Sequence, residues 1–124
     1  MKLGVFNPVL AGMTFEEAMK YLADSGVQAV EIGAGGFPGK AHCDPAVLLN
    51  DEEKFEHVKK VLKDNNLEIA ALSTHGNPVH PDPEIAKKFR DDFAGTVLLA
   101  EKLGVKRIIG FSGCPGGSPE DKNI

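Results

Sequence analysis

The sequence contains only two cysteines, Cys43 and Cys114, and they are too far apart to form a CxxC pair. In an acidic chain without an export signal, we expect both to be reduced thiols. No apolar run reaches the roughly 18 residues of a membrane span. The opening residues 1–8 are too short and too soon interrupted to form a secretory signal. We therefore expect a cytoplasmic protein without a membrane partner.

A concentrated block of positive charge is also missing. The 124 residues carry a formal net charge of −4, the expected pI is about 5.5, and Lys and Arg form no run of five or six. We therefore expect no nucleic-acid partner bound through phosphate neutralisation. The hydrophobic share of 42% and the charged share of 26% are those of an ordinary globular domain.

Four short apolar runs recur along the chain, each of strand length and each containing Val, Ile or Phe. They occupy residues 2–7, 28–33, 68–74 and 106–112. Each run ends in Gly, Asn, Ser or Thr, and none alternates cleanly between polar and apolar residues. This pattern predicts parallel strands that are covered on both faces.

Helical patterns fill the gaps between these runs. The first begins after Thr14, which forms a capping-box pair with Glu17, and ends near Gly26, where a left-handed residue belongs. The second is predicted over residues 51–64 with Asn50 as its N-cap.

The third helical pattern is the longest and is predicted over residues 83–103. Asp82 can cap it, Pro83 suits its first turn, and Gly104 ends it. Residues of helical period predict its buried face: Ala86, Phe89, Phe93, Val97, Ala100 and Leu103.

Strands and helices alternate regularly, which indicates parallel strands joined by right-handed crossovers. The connections from strand to helix are long, at residues 8–13, 34–50 and 75–82, whereas those from helix to strand are tight. Parallel sheets and barrels place their sites at the carboxyl ends of their strands. We therefore predict one working face at that end.

The expected fold class is α/β, with parallel (βα) units forming the N-terminal half of a TIM barrel from four strands and three helices. Residues 113–119 are predicted to be loop, with no helix after them to cover the fourth strand. Four parallel strands leave two unpaired edges, and complete (βα) barrels need about 200 residues or more. We therefore expect residues 1–124 to be a half-barrel cut after strand 4. The alternative is a small doubly wound domain of the flavodoxin type.

The loop sequences resemble one known family. The matching stretches are residues 29–33, 35–39, 41–45, 71–81 and 111–116. In register, they resemble the second, third and fourth βα units of sugar phosphate isomerase/epimerase proteins of the xylose isomerase-like TIM-barrel superfamily. The resemblance implies a full barrel of roughly 300 residues. It also implies a divalent metal ion (Mn, Mg, Zn or Co) held by Glu, Asp and His of the later strands, so no metal ligand is assigned within this chain.

Six residues near the predicted strand ends are candidates for an active site. His75 is the candidate catalytic residue, because imidazole can transfer protons near neutral pH; its structural alternative is to fix the following loop. The candidate substrate-binding residues are Asn7, Glu31, Phe37, Ser112 and Cys114.

The sequence gives a specific reason for choosing Glu31, Asn7 and Phe37. Glu31 interrupts an apolar strand, where an unpaired carboxylate is costly, so it either meets a cation in the barrel or faces the pocket. Asn7 can bind a polyol or simply end a strand. Phe37, in the glycine-rich segment 33–39, can form an apolar wall against a sugar ring. That segment lacks the P-loop pattern and is not predicted to bind a nucleotide.

The remaining histidines and the cysteines carry weaker signals. His42 and His80 are predicted to pack within loops beside proline, and His57 to face solvent from the second helix. A nucleophilic cysteine needs a neighbouring base or a positive environment, and sequence adjacency does not supply it. Covalent catalysis is therefore not expected.

The leading hypothesis is an isomerase or epimerase of a sugar, polyol or sugar phosphate that uses metal-assisted proton or hydride transfer, with this chain as one wall of the pocket. One alternative is a sugar dehydratase of the same superfamily. Another is a half-barrel without catalytic activity, which pairs with a copy of itself or with a missing second half. Apurinic endonucleases of the same superfamily usually place a zinc-binding histidine after the fourth strand. No histidine ends the fourth predicted strand here, and the chain is acidic, so the resemblance does not imply a DNA-repair enzyme.

Overall fold

The computed structural model describes residues 1–116, which form one parallel sheet with helices packed against it. The strands are β1 (Gly4–Phe6), β2 (Ala29–Gly36), β3 (Glu68–His75) and β4 (Ile108–Gly110). The α-helices are α1 (Phe15–Asp24), α2 (Pro45–Leu48), α3 (Glu52–Asp64) and α4 (Pro83–Leu103). A 3₁₀ turn, Asn7–Leu10, follows β1. The predicted alternation of strand and helix is confirmed.

The strand order decides between the two predicted architectures. The sheet runs β1-β2-β3-β4, and every neighbouring pair is parallel. A flavodoxin-type sheet would place β1 between β2 and β3, whereas here β1 lies at an edge. Sequential parallel order is the order of a barrel wall, so the doubly wound alternative is excluded.

The helix boundaries follow local capping chemistry. Thr14 and Glu17 form the predicted capping box at the start of α1, with each side chain accepting a hydrogen bond from the backbone N–H of the other residue. At α4, the Asp82 side chain accepts from the N–H groups of the first turn, and Gly104 ends the helix with a φ of 71°. Both predicted boundaries of α4 are confirmed.

Two details of the helix prediction were wrong. The short helix α2 was not foreseen, so the described residues hold four α-helices where three were predicted. Asp51, and not Asn50, caps α3 by accepting a hydrogen bond from the N–H of Lys54. The reason is that Asn50 belongs to the end of α2, where its side chain donates to the carbonyl oxygen of Ala46.

The main core lies between the sheet and the helices. Val30, Ile32 and Leu72 are fully buried there and pack with apolar residues of the helices. The predicted buried face of α4 is partly wrong, because Phe93 and Val97 are 46% and 41% exposed. Ala86 and Ala100 are buried as predicted, and the helix also buries Asp92, Thr96 and Leu99.

The end of the described chain is irregular, as predicted, over residues 113–116, whereas residues 117–119 of the predicted loop lie outside the described residues. Within residues 1–116, no helix combines the length and the apolar character that crossing a membrane requires.

Candidate functional site

One face of the sheet collects polar and aromatic side chains. Successive residues of a strand point to opposite faces, so Glu31 points away from the core that Val30 and Ile32 enter. Its partner in register on β1 is Phe6. The face opposite the helices is called the inner face below. It carries Phe6, Glu31, Ser73, His75 and Phe111.

His75 lies at the carboxyl end of β3 between two aromatic rings. Its ring centroid is 6.0 Å from that of Phe6, in an edge-on arrangement, and 4.5 Å from that of Phe111 at an interplanar angle of 32°. Within the described residues, neither ring nitrogen forms a hydrogen bond, and neither is a buried atom without a partner. Its ring nitrogens are therefore open to a bound molecule, while the two phenylalanines restrict the orientation of the ring.

Glu31 is held on the inner face by a neighbouring strand. The hydroxyl of Ser73 donates a hydrogen bond to Oε1 of Glu31. Ser73 is fully buried, whereas Glu31 remains half-buried. Within the described residues, the carboxylate has a hydroxyl partner and forms no ion pair, so its contact with substrate stays a prediction.

Asn7 is almost fully buried, and both ends of its amide are bound within the chain. The Oδ1 atom accepts a hydrogen bond from the N–H of Gly33 at 3.0 Å, and Nδ2 lies 2.7 Å from Nδ1 of His42. The structure therefore places Asn7 beneath the rim. A direct contact with substrate stays a prediction, and a structural role is what the hydrogen bonds show.

The glycine-rich segment after β2 brings Phe37 to the rim. Gly36 adopts a φ of +67°, and the N–H of Phe37 donates to the carbonyl oxygen of His75 at 2.6 Å. The Phe37 ring is 71% exposed and contacts Phe89 of α4 at a centroid distance of 5.1 Å. An exposed ring fixed from behind is suited to cover the apolar face of a ligand.

A buried ion pair supports this segment, and the sequence prediction missed it. Asp92 of α4 accepts a hydrogen bond from the N–H of Gly36 at 2.9 Å and forms an ion pair with Lys40 at 2.7 Å. The hydrogen bond to the Asp92 carboxylate raises the pKa of Lys40 above its ordinary value. Because Asp92 is only 8% exposed, the pair fixes the strand end from the side of the helices.

Three predicted residues line one open cavity of about 600 Å³ at the carboxyl end of β3 and β4: Phe37, Ser112 and Cys114. Asn77 fixes its wall, since its side chain donates to the carbonyl oxygen of Cys114 at 2.7 Å and accepts from the N–H of Cys114 at 2.9 Å. Glu31 and Asn7 do not line this cavity. His75 does not line it either, but its ring packs against that of Phe111, which does.

The described residues do not supply a metal site by themselves. Among residues 1–116, no three His, Cys, Asp or Glu side chains converge on a point that could hold an ion.

The two cysteines are expected to differ strongly in reactivity. Cys43 is 1% exposed, and burial together with the neighbouring Asp44 raises the pKa of its thiol to about 12, whereas Cys114 is half-buried in the open cavity. The thiolate is the reactive form.

Brief treatment with iodoacetamide should therefore alkylate Cys114 and leave Cys43 unmodified in peptide mass spectra. Modification of Cys43 in the folded protein at the rate of Cys114 would contradict this, and unfolding should abolish the difference.

Comparison with known proteins places this geometry in a family. The model described as xylose isomerase-like TIM barrel matches residues 19–124. The chain belongs to this family. Its four sequential parallel strands are accordingly part of a TIM barrel, as the sequence predicted.

Two relatives of this xylose isomerase-like chain show how much of a protein it spans. It is 35% identical over 122 residues to the uncharacterized protein YfiH of Bacillus subtilis (strain 168), covering 98% of this chain and 39% of YfiH. The crystal structure of the probable 3-DHS dehydratase AsbF, involved in petrobactin synthesis in Bacillus anthracis, matches with a TM-score of 0.64 and 20% identity. That match covers 91% of this chain and 39% of AsbF. The chain thus spans about two-fifths of either relative, and the likeness to AsbF shows the fold alone.

Some residues of the site carried a readable signal and others did not. Ser73 lies two positions before His75, and the strand period of two predicts that both share one face. Asp92 gave no such signal, because the apolar pattern of α4 favoured Phe93 for the buried face. Asp92 becomes the buried partner of Gly36 only because α4 packs against β2.

Proposed function

We propose that this chain forms one wall of the active site of an isomerase or epimerase that acts on a sugar, polyol or sugar phosphate. The observation that carries the proposal is the inner face, where His75 and Glu31 lie on neighbouring strands and each is oriented by a residue of the same face. An imidazole or a carboxylate on this face can remove a proton next to a carbonyl and return it. The open cavity bounded by Phe37 and Phe111 supplies room for the ring or chain of the substrate.

A dehydratase is the second candidate, and the name of the fold relative AsbF states that activity for AsbF. The chemistry of the two candidates is related, because loss of water from a hydroxy-carbonyl compound also starts with removal of a proton beside the carbonyl. The same His75 or Glu31 would serve both reactions. The two differ in the product, which has the mass of the substrate for an isomerase and lacks one water for a dehydratase.

The proposal is tested by incubating the full-length protein in D2O with ketoses, aldoses and their phosphates and following the carbon next to the carbonyl by NMR. We expect deuterium incorporation with one substrate, and the His75→Asn substitution should lower kcat by about 10² to 10⁴-fold, the usual effect of removing an acid–base group. The control is His57→Asn, since the side chain of His57 is 53% exposed on α3 and pairs with Glu16.

Each outcome of this experiment is informative. Full activity of the His75→Asn protein would contradict the catalytic role of His75. A product lighter by one water would show a dehydratase and not an isomerase.

We also propose that a divalent metal ion is bound through ligands beyond residues 1–116, which metal analysis of the full-length protein tests directly.

A further inference from the structure

A hydrogen-bond network that is buried at Asn7 and partly exposed at His42 joins the loops that follow β1 and β2. Asn7, which is 2% exposed, accepts from the N–H of Gly33 and lies against Nδ1 of His42. The other ring nitrogen, Nε2, lies 2.8 Å from the carbonyl oxygen of Met13. The network therefore runs from β2 through Asn7 and His42 to the turn before α1.

The chemistry of the partners fixes which ring nitrogen of His42 carries the proton. Because the N–H of Gly33 can only donate, Asn7 must present Oδ1 to it and its NH2 group to His42. An NH2 group cannot accept, so Nδ1 of His42 must be the unprotonated acceptor. The carbonyl oxygen of Met13 can only accept, so Nε2 must carry the hydrogen.

We propose that His42 is a positioning residue: as the neutral Nε2–H tautomer it holds Asn7 on Gly33 and keeps the two loops together. A proton on Nδ1 would face the NH2 group of Asn7. Rotation of the amide would remove that conflict but would turn the NH2 group toward the N–H of Gly33. Either arrangement leaves two donors facing each other in a buried site, which is unfavourable.

Within the described residues, the ring of His42 forms no hydrogen bond or ion pair with a charged side chain. The small cavity beside it is lined only by uncharged residues of the two loops in addition to the ring itself, and on α1 its neighbour is the ring of Phe15 at 5.9 Å. The charged side chains nearest in sequence are engaged elsewhere. They are Glu16 with His57, Glu17 with the backbone of Thr14, Lys40 with Asp92, and Asp44 with the backbone of Ala46.

The network connects to the candidate site on both sides. Asn7 follows Phe6, whose ring contacts His75, and Gly33 begins the glycine-rich segment that presents Phe37. Release of the network would loosen both walls of the rim. This effect on catalysis rests on the proposed function, whereas the network and its tautomer do not.

The test is NMR spectroscopy of the full-length protein without any substrate. Long-range 1H–15N spectra of the histidine rings, assigned with a His42 variant, should show His42 with a protonated Nε2 and an unprotonated Nδ1 at neutral pH. The amide hydrogen of Gly33 should be protected from exchange with solvent, because it is hydrogen-bonded to the Asn7 side chain that His42 holds.

Two substitutions separate this role from simple packing. His42→Asn places an amide oxygen near the position of Nδ1, so the Gly33 amide should stay protected. His42→Gln reaches toward Met13 but offers Asn7 no acceptor at that position, so Gly33 should exchange about tenfold faster at every pH. A proton on Nδ1 in the unsubstituted protein at neutral pH, or unchanged Gly33 protection in the His42→Gln protein, would overturn the proposal. Since no substrate is used, these outcomes are independent of the isomerase test.

Discussion

Replacing Gly36 with alanine is expected to destabilise the protein by about 3–5 kcal/mol, the upper range for single substitutions. Gly36 has a φ of +67°, and an added Cβ would lie 2.0 Å from the carbonyl oxygen of His75. That oxygen accepts the hydrogen bond from Phe37, and all of these atoms belong to the backbone. No side-chain rotation can relieve the contact, so the ends of β2 and β3 must separate.

The matched control is Gly39→Ala in the same segment. Gly39 also has a positive φ, of +79°, but an added Cβ would meet no atom within 4 Å. Only the conformational cost remains there, about 1 kcal/mol. Urea unfolding followed by circular dichroism measures both effects. Equal destabilisation by the two substitutions would show that the strand ends are not packed as described.

Removal of Lys40 should have the second large effect, because it leaves the Asp92 carboxylate buried without its cation. We expect Lys40→Met to lower the free energy of unfolding by about 2–3 kcal/mol, less than for a fully buried pair because the Lys40 side chain is 36% exposed. Adding Asp92→Asn to this variant should recover part of the loss, since a neutral amide is less costly to bury than an unpaired carboxylate. Its oxygen can still accept from the N–H of Gly36.

The control is an ion pair formed within the helix that carries Asp92. Lys87 pairs with Asp91, but their side chains are 69% and 62% exposed. Lys87→Met should therefore change stability by about 0.5 kcal/mol or less. A result in which the Lys40 and Lys87 substitutions behave alike would show that the Asp92 pair is open to water.

The pH dependence of the Lys40 pair follows from the sign of its shift. The pKa of Lys40 is raised in the folded state, so its stabilisation is fully present below the ordinary lysine value of about 10.4 and is lost as the pH rises through the folded-state pKa. The difference in stability between the unsubstituted protein and the Lys40→Met protein should therefore stay constant from neutral pH to about pH 9 and shrink above pH 10.

The site was predictable where it depends on strand ends and unpredictable where it depends on helix packing. His75, Phe37 and Cys114 could be placed at one rim because the carboxyl ends of parallel strands meet there. The bonding of Asn7 could not be foreseen, because its partners His42 and Gly33 come together only when two loops fold over each other.

Local patterns in the sequence determined the elements and their order. Caps such as Thr14 and Asp82, and glycines such as Gly104, act within a few residues of their own position, so the sequence alone placed the start of α1 and both ends of α4. Contacts between distant residues were decided by the tertiary structure. Asp92 became a buried partner of Gly36, although the apolar pattern favoured Phe93, because the packing of α4 on the sheet lets its carboxylate bind a backbone N–H and an ammonium group.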